Sequence, residues 1–197
     1  MKKILIIILF IYSAILCYGQ ESIFNDKGKL EYSEVINTND SNNSKELVFL
    51  KAKSWFVETY NSSKAVLEIE DKELGVLMGK PLTHLYISIG MGSIFKTRMY
   101  YTIKVQVKKG RCKISIYNIY YKSYSSYTNG VRIPEQISYP EQWFAKDNLY
   151  KKNGKIKKIN IQYKEKTIKN MKDLIASFET FMKKDSTIIE NNQTDDW

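Results

Sequence analysis

Between Met99 and Ile116 the chain alternates apolar and polar residues along two arms joined by one short turn. Met99, Tyr101, Ile103, Val105 and Val107 interleave with Tyr100, Thr102, Lys104, Gln106 and Lys108, a period of two that fits a half-buried strand. Lys109-Gly110 is a two-residue turn with glycine where a positive φ is needed. Cys112, Ile114 and Ile116 then resume the alternation. This predicts an antiparallel hairpin pairing Lys108 with Arg111, Val107 with Cys112, Val105 with Ile114 and Ile103 with Ile116. A slip of one residue would move every apolar side chain to the wrong face, so the register is strongly specified. The opposite face then carries Tyr100, Thr102, Lys104, Gln106, Lys108, Arg111, Lys113, Ser115 and Tyr117. A sheet with one apolar face needs cover on that face alone.

Two amphipathic stretches supply that cover. In KELVFLKAKSWFVETY, Val48, Ala52, Trp55 and Thr59 recur at helical spacing, with Leu47 and Phe56 widening the stripe. Asn43 or Ser44 caps this helix, Glu46 sits in its first turn, and Asn61, Ser62 and Ser63 stop it. The second helix is expected over about Lys164–Lys184, where Ile168, Met171, Ile175, Phe178 and Met182 recur beside Leu174 and Phe181. Lys29–Asn37 reads as a first strand. Ala65–Glu70 and Gly75–Lys80 read as a second hairpin around DKELG. Tyr120–Tyr163 is expected to be irregular, with Lys157, Ile159 and Ile161 as one further strand. Residues 185–197 read as a flexible polar tail that includes Trp197.

The N-terminus addresses the chain elsewhere. Lys2 and Lys3 precede an apolar run from Ile4 to Leu16, and Gly19 is a small residue suited to cleavage before Gln20. Residues 1–19 are thus expected to be a signal peptide, and residues 20–184 a single α+β domain. The run is shorter than the about 20 residues of a comfortable membrane span, which argues against an uncleaved anchor. The alternative is a lipoprotein acylated on Cys17, but Leu16 stands where such sites carry a small residue. Export places the product in the periplasm or outside the cell, and no transmembrane segment is expected in the mature chain. Removing the leader takes two lysines and no acid, so the net charge falls from +10 to +8. Cys112 is then the one remaining thiol and no internal disulfide can form. It is expected to be a small buried hydrophobe.

The order strand, helix, four strands in two hairpins, helix resembles a family of small secreted bacterial proteins. That family is described as a domain of unknown function with a TATA-box-binding-protein-like fold. The residues carrying the likeness are KAKSWFVETY, EIEDKELGVLMGK and YYTIKVQVKKGRCKISIYNIYY, within Lys29–Tyr121. The resemblance implies a curved antiparallel sheet with helices on one face (β-α-β-β-β-β-α). It brings no activity and no functional residues, and a fold name does not by itself imply DNA binding.

Candidate chemistry is sparse. His84 is the only histidine; it falls in an expected loop, and a nucleophilic pair with an inward Cys112 is only a formal option. Glu68, Glu70, Asp71 and Glu73 form the densest acidic cluster but lack the order of a calcium loop. Gly90-Met91-Gly92-Ser93 reads as a flexible connection. No phosphate loop or nucleophile elbow is present, and no cofactor or metal is implied. Trp55 and Trp143 read as core or loop anchors. Tyr120, Tyr121, Tyr124, Tyr127 and Tyr139 either cover a small core or form a recognition surface.

The expected function is therefore an extracytoplasmic binding or interaction module with no catalytic site. Its candidate ligand residues are Tyr100, Lys104, Lys108, Arg111, Lys113 and Tyr117, since cations beside aromatic rings suit anionic partners. An anionic glycan, an envelope component or a protein fits this face; nucleic acid does not fit an exported chain. The alternative is a carboxylate-dependent hydrolase or accessory envelope enzyme using Glu68 and Glu70.

Overall fold

In the computed structural model, residues 24–38, 44–60, 66–128 and 130–184 are described. The expected leader, its cleavage site at Gly19 and Gln20, Cys17, the Asn43 cap, the Asn61–Ser63 stop and the tail after residue 184 lie outside them. The elements are β1 (Tyr32–Asn37), α1 (Lys45–Tyr60), β2 (Leu67–Asp71), β3 (Val76–Gly79), β4 (Leu82–Gly90), β5 (Ser93–Lys108) and β6 (Arg111–Ser123). They continue with β7 (Ser126–Thr128), β8 (Val131–Ile133), β9 (Ile137–Ser138), α2 (Pro140–Phe144), α3 (Lys146–Leu149) and α4 (Lys158–Lys183).

The β5–β6 hairpin is the spine. Its register is Lys108↔Arg111, Val107↔Cys112, Val105↔Ile114 and Ile103↔Ile116, as the alternation requires. Gly110 has φ 67° at the turn. Ile103, Val105, Ile114 and Ile116 are wholly buried. Near the turn, β1 flanks β6, and β3 followed by β2 flanks β5; at the other end β4 flanks β5 and β9 flanks β6. The sheet is antiparallel, and β7 and β8 form a separate small ribbon.

Helices cover the inner face. Ser44 caps α1, its Oγ accepting from the Leu47 amide at 3.1 Å. The buried residues of α1 are Val48, Phe49, Lys51, Ala52, Trp55 and Phe56, so the stripe turns toward Phe49 and leaves Leu47 and Thr59 half-buried. Trp55 meets Phe178 edge-on at 4.9 Å and donates from Nε1 to Ser177 Oγ at 3.2 Å. Along α4, Met171, Ile175, Phe178, Phe181 and Met182 are buried, as the spacing predicts, together with Tyr163 and Thr167.

The structure corrects several expectations. Leu82–Gly90 is a full strand, so His84 lies in β4 and not in a loop. Gly90–Ser93 is the tight turn into β5, which begins at Ser93 and not at Met99. Lys157, Ile159 and Ile161 do not form a strand: α4 begins at Lys158, six residues earlier than expected, and extends through both isoleucines. Tyr120–Tyr163 holds β7 to β9, α2 and α3, and so is not irregular throughout. Its rings divide by face. Tyr121 is buried and shares a 2.7 Å hydroxyl contact with Thr167 of α4, and Trp143 stacks on Tyr163 at 4.9 Å. Tyr124, Tyr127 and Tyr139 are exposed.

Cys112 is buried on the inner face, and that burial pushes its thiol up to about 12 against the opposing pull of Lys51. Only roughly one thiol in ten thousand is then ionised at pH 8. In a chain starting at Gln20, thiol labelling at pH 8 is expected to be negligible in the native state and fast in denaturant. Fast native labelling would contradict the packing.

Candidate functional site

The outer face of the sheet is built by the spine. Lys104 stands opposite Ser115, Gln106 opposite Lys113, and Lys108 opposite Arg111. Three successive rungs thus each present a cation to the same side, spaced about 7 Å apart by the strand repeat. Lys108, Arg111 and Lys113 are exposed and Lys104 is half-buried. Among the described residues none of the four takes part in an ion pair.

Aromatic rings continue this face. Tyr100 stacks on Tyr120 with centroids 4.9 Å apart and planes within 5°. A β-bulge makes that pair possible. Thr102 is opposite Tyr117 and Tyr100 is opposite Tyr120, so Tyr101 faces two residues, Asn118 and Ile119. Asn118 takes φ 52°, a left-handed conformation that asparagine tolerates better than most residues. The bulge reverses the alternation: Ile116 and Ile119 both point inward, while Tyr117 and Tyr120 both point outward. Strict alternation would have buried Tyr120, which is why the sequence pattern missed it. The Tyr117 hydroxyl donates to Met78 Sδ at 3.9 Å. Its pKa is raised, chiefly by burial and also by Glu31, with Lys80 opposing.

The six residues singled out from the alternation, Tyr100, Lys104, Lys108, Arg111, Lys113 and Tyr117, therefore share one face. The structure adds Tyr120 to them and places Lys80 at the margin, paired with Glu68 at 2.8 Å. That hydrogen bond raises the Lys80 pKa.

A second polar cluster occupies the same face at the β4 end. His84 is opposite Arg98, and its Nε2 lies 3.0 Å from the Tyr124 hydroxyl. Its pKa is lowered by burial and then by Lys96 and Arg98, all of which favour the neutral ring. The Arg98 guanidinium lies 4.5 Å over the Tyr124 ring and pairs with Glu135, which also holds Lys122 at 2.5 Å. The Glu135 carboxyl is lowered first by Lys122 and then by Arg98. His84 and Cys112 sit on opposite faces of the sheet, so they do not form a nucleophilic pair.

The acidic cluster is divided among partners. Glu68 is held by Lys80, and Glu70 by Lys53 of α1 at 2.7 Å. Among the described residues, no three His, Cys, Asp or Glu side chains are gathered to hold a metal, and no helix is long and apolar enough to cross a membrane.

Known proteins share this geometry over much of the chain. The model of a domain of unknown function (DUF4468) with TBP-like fold matches residues 32–122. Over that stretch, just under half of the chain, it is similar to DUF4468 domains. The match spans β1 to nearly the end of β6, close to the Lys29–Tyr121 stretch whose residues resembled that family. A crystal structure of a DUF4468 family protein from Bacteroides ovatus is similar at a TM-score of 0.65 and 17% identity, over 86% of this chain and 95% of that one. A TBP-like protein from Parabacteroides distasonis is similar at a TM-score of 0.58 and 17% identity, over 80% of this chain and 95% of that one. At such identities the likeness shows the fold alone. No curated protein matches the chain. The likeness to DUF4468 proteins thus shows an α+β sheet-and-helix architecture and leaves the chemistry to the residues on the outer face.

Proposed function

We propose that this domain is a non-catalytic binding module, exported by its N-terminal leader, that takes an acidic polysaccharide on its outer sheet face. One observation carries the reading: three adjacent rungs of β5–β6 present Lys104, Lys113, Lys108 and Arg111 with no acid paired to any of them among the described residues. A repeating cationic ladder suits a ligand with repeating negative charge. The Tyr100–Tyr120 stack beside it supplies an apolar platform for the faces of sugar rings.

The test is binding to a soluble sulfated polysaccharide, measured by titration calorimetry at low salt. Changing Lys104, Lys108, Arg111 and Lys113 together to Gln is expected to weaken binding about a hundredfold, at about 0.7 kcal/mol per exposed contact. The melting temperature should change little, because none of the four side chains is buried in the core. Unchanged binding would remove this reading.

A further inference from the structure

The β4–β5 turn and the 151–158 loop lie together at the end of the molecule farthest from the basic rungs. The turn is apolar and open: Met91 is fully exposed, Ile94 is 65% exposed and Ile89 is 55% exposed. Monomeric domains seldom leave so many large apolar side chains together in water without a use. Beside them runs KKNGKIKK, whose Lys151, Lys152, Lys155 and Lys158 are exposed. Among the described residues these lysines and Lys157 take part in no ion pair.

The β4 edge is held to α4, the helix that the lysine loop leads into. Gln162 of α4 accepts from the Ser88 amide at 2.8 Å through Oε1 and donates to the Ser88 carbonyl at 2.9 Å through Nε2. One side chain thus takes the place of a neighbouring strand on the β4 edge. The loop is tied by the Lys151 amide to the Lys155 carbonyl at 2.7 Å and by the Lys157 amide to the Leu149 carbonyl at 2.8 Å. Between the segments runs an open groove of about 980 Å³, lined by Ile89, Ile156 and Ile159 together with four lysines and no acid.

We propose that this end of the domain docks on an anionic phospholipid bilayer, with Met91, Ile89 and Ile94 entering the headgroup boundary and the lysine loop meeting the lipid phosphates. Charge complementarity commits the occupant: apolar side chains at a tip, bordered by unpaired lysines on one side, match a surface that is anionic outside and apolar beneath. An acidic polysaccharide would satisfy the lysines but would leave the isoleucines and Met91 without a role.

The experiment is co-sedimentation of the chain from residue 20 with vesicles of phosphatidylcholine alone and of phosphatidylcholine mixed with phosphatidylglycerol. Binding is expected only to the mixed vesicles and should weaken as salt rises. Changing Lys151, Lys152, Lys155, Lys157 and Lys158 to Gln should lower affinity by roughly fivefold per lysine. The Met91→Asp, Ile94→Asp double variant alters only exposed side chains and should lower affinity at least about tenfold, since like charge and lost apolar contact act together. Gln162→Ala should weaken binding with every lysine intact, because the tip is no longer held to α4. Equal binding to neutral vesicles would overturn the proposal, as would full binding by the Met91→Asp, Ile94→Asp variant. The Gln variant of the outer-face rungs should sediment like the parent chain. Loss of vesicle binding there would place the lipid on that face and would also overturn the docking geometry, whatever the polysaccharide result.

Discussion

Trp55→Ala will lower the unfolding free energy by about 3–5 kcal/mol, the usual cost of truncating a large buried aromatic. The side chain is 1% exposed, so almost the whole ring is removed from a closed space. It joins two helices: Phe56 lies on its own helix at 5.2 Å, and α4 supplies Phe178 at 4.9 Å and Ser177 through the indole N–H. The substitution leaves a void between α1 and α4 and removes the hydrogen bond to the exposed Ser177 hydroxyl. Natural domains are stable by only about 5–15 kcal/mol, so this one change takes a large share. Urea denaturation followed by circular dichroism measures it. Val57→Ala is the control, two residues on and facing away from the stripe at 43% exposed, and should stay within about 0.5 kcal/mol of the parent. Equal effects at the two positions would contradict the packing of α1 against α4.

Gly75→Ala is expected to be the second large loss, about 2–3 kcal/mol, from a left-handed backbone and a steric conflict acting at one place. Gly75 has φ 70° at the turn between β2 and β3. A Cβ there would lie 2.8 Å from the Val107 carbonyl oxygen and 2.7 Å from Lys45 Cε. The lysine end can swing away, but the carbonyl belongs to β5 and cannot. The Gly75 carbonyl also accepts from the Val107 amide at 2.8 Å, so moving the turn away breaks that bond. Gly92→Ala separates the two causes. Gly92 has φ 76° with nothing within 4 Å of a Cβ, so only the conformational cost of about 1–2 kcal/mol should appear. If the two variants lose the same stability, the close approach of the turn to β5 is wrong.

What could be read in advance followed from how local the cause was. The β5–β6 hairpin was legible because its alternation spans both arms and its turn contains the required glycine, so pattern and turn agree. Ser44 was legible because a cap is a local device. The β4 strand was hidden because Leu82 and Tyr86 sit on the outer face, blurring an alternation that Leu85 and Ile87 carry inward. Ile159 and Ile161 alternate over too few residues to separate a strand from a helix start, and the buried series that decides for the helix begins at Tyr163. On the outer face the cations were legible from parity alone. Tyr120 was not, because one bulged asparagine resets the parity before it. The Glu135 and Gln162 contacts join residues 37 and 74 positions apart, a separation no local pattern encodes.

The hairpin at the centre of the sheet is also a measuring rod. β5 runs unbroken from Ser93 beside the apolar tip to Lys108 beside the basic rungs, a path of about 50 Å at the rise of an extended strand. No loop interrupts β5 along that path and none can act as a hinge. Whatever is gripped at one extremity is therefore carried at a fixed standoff from whatever the other extremity touches.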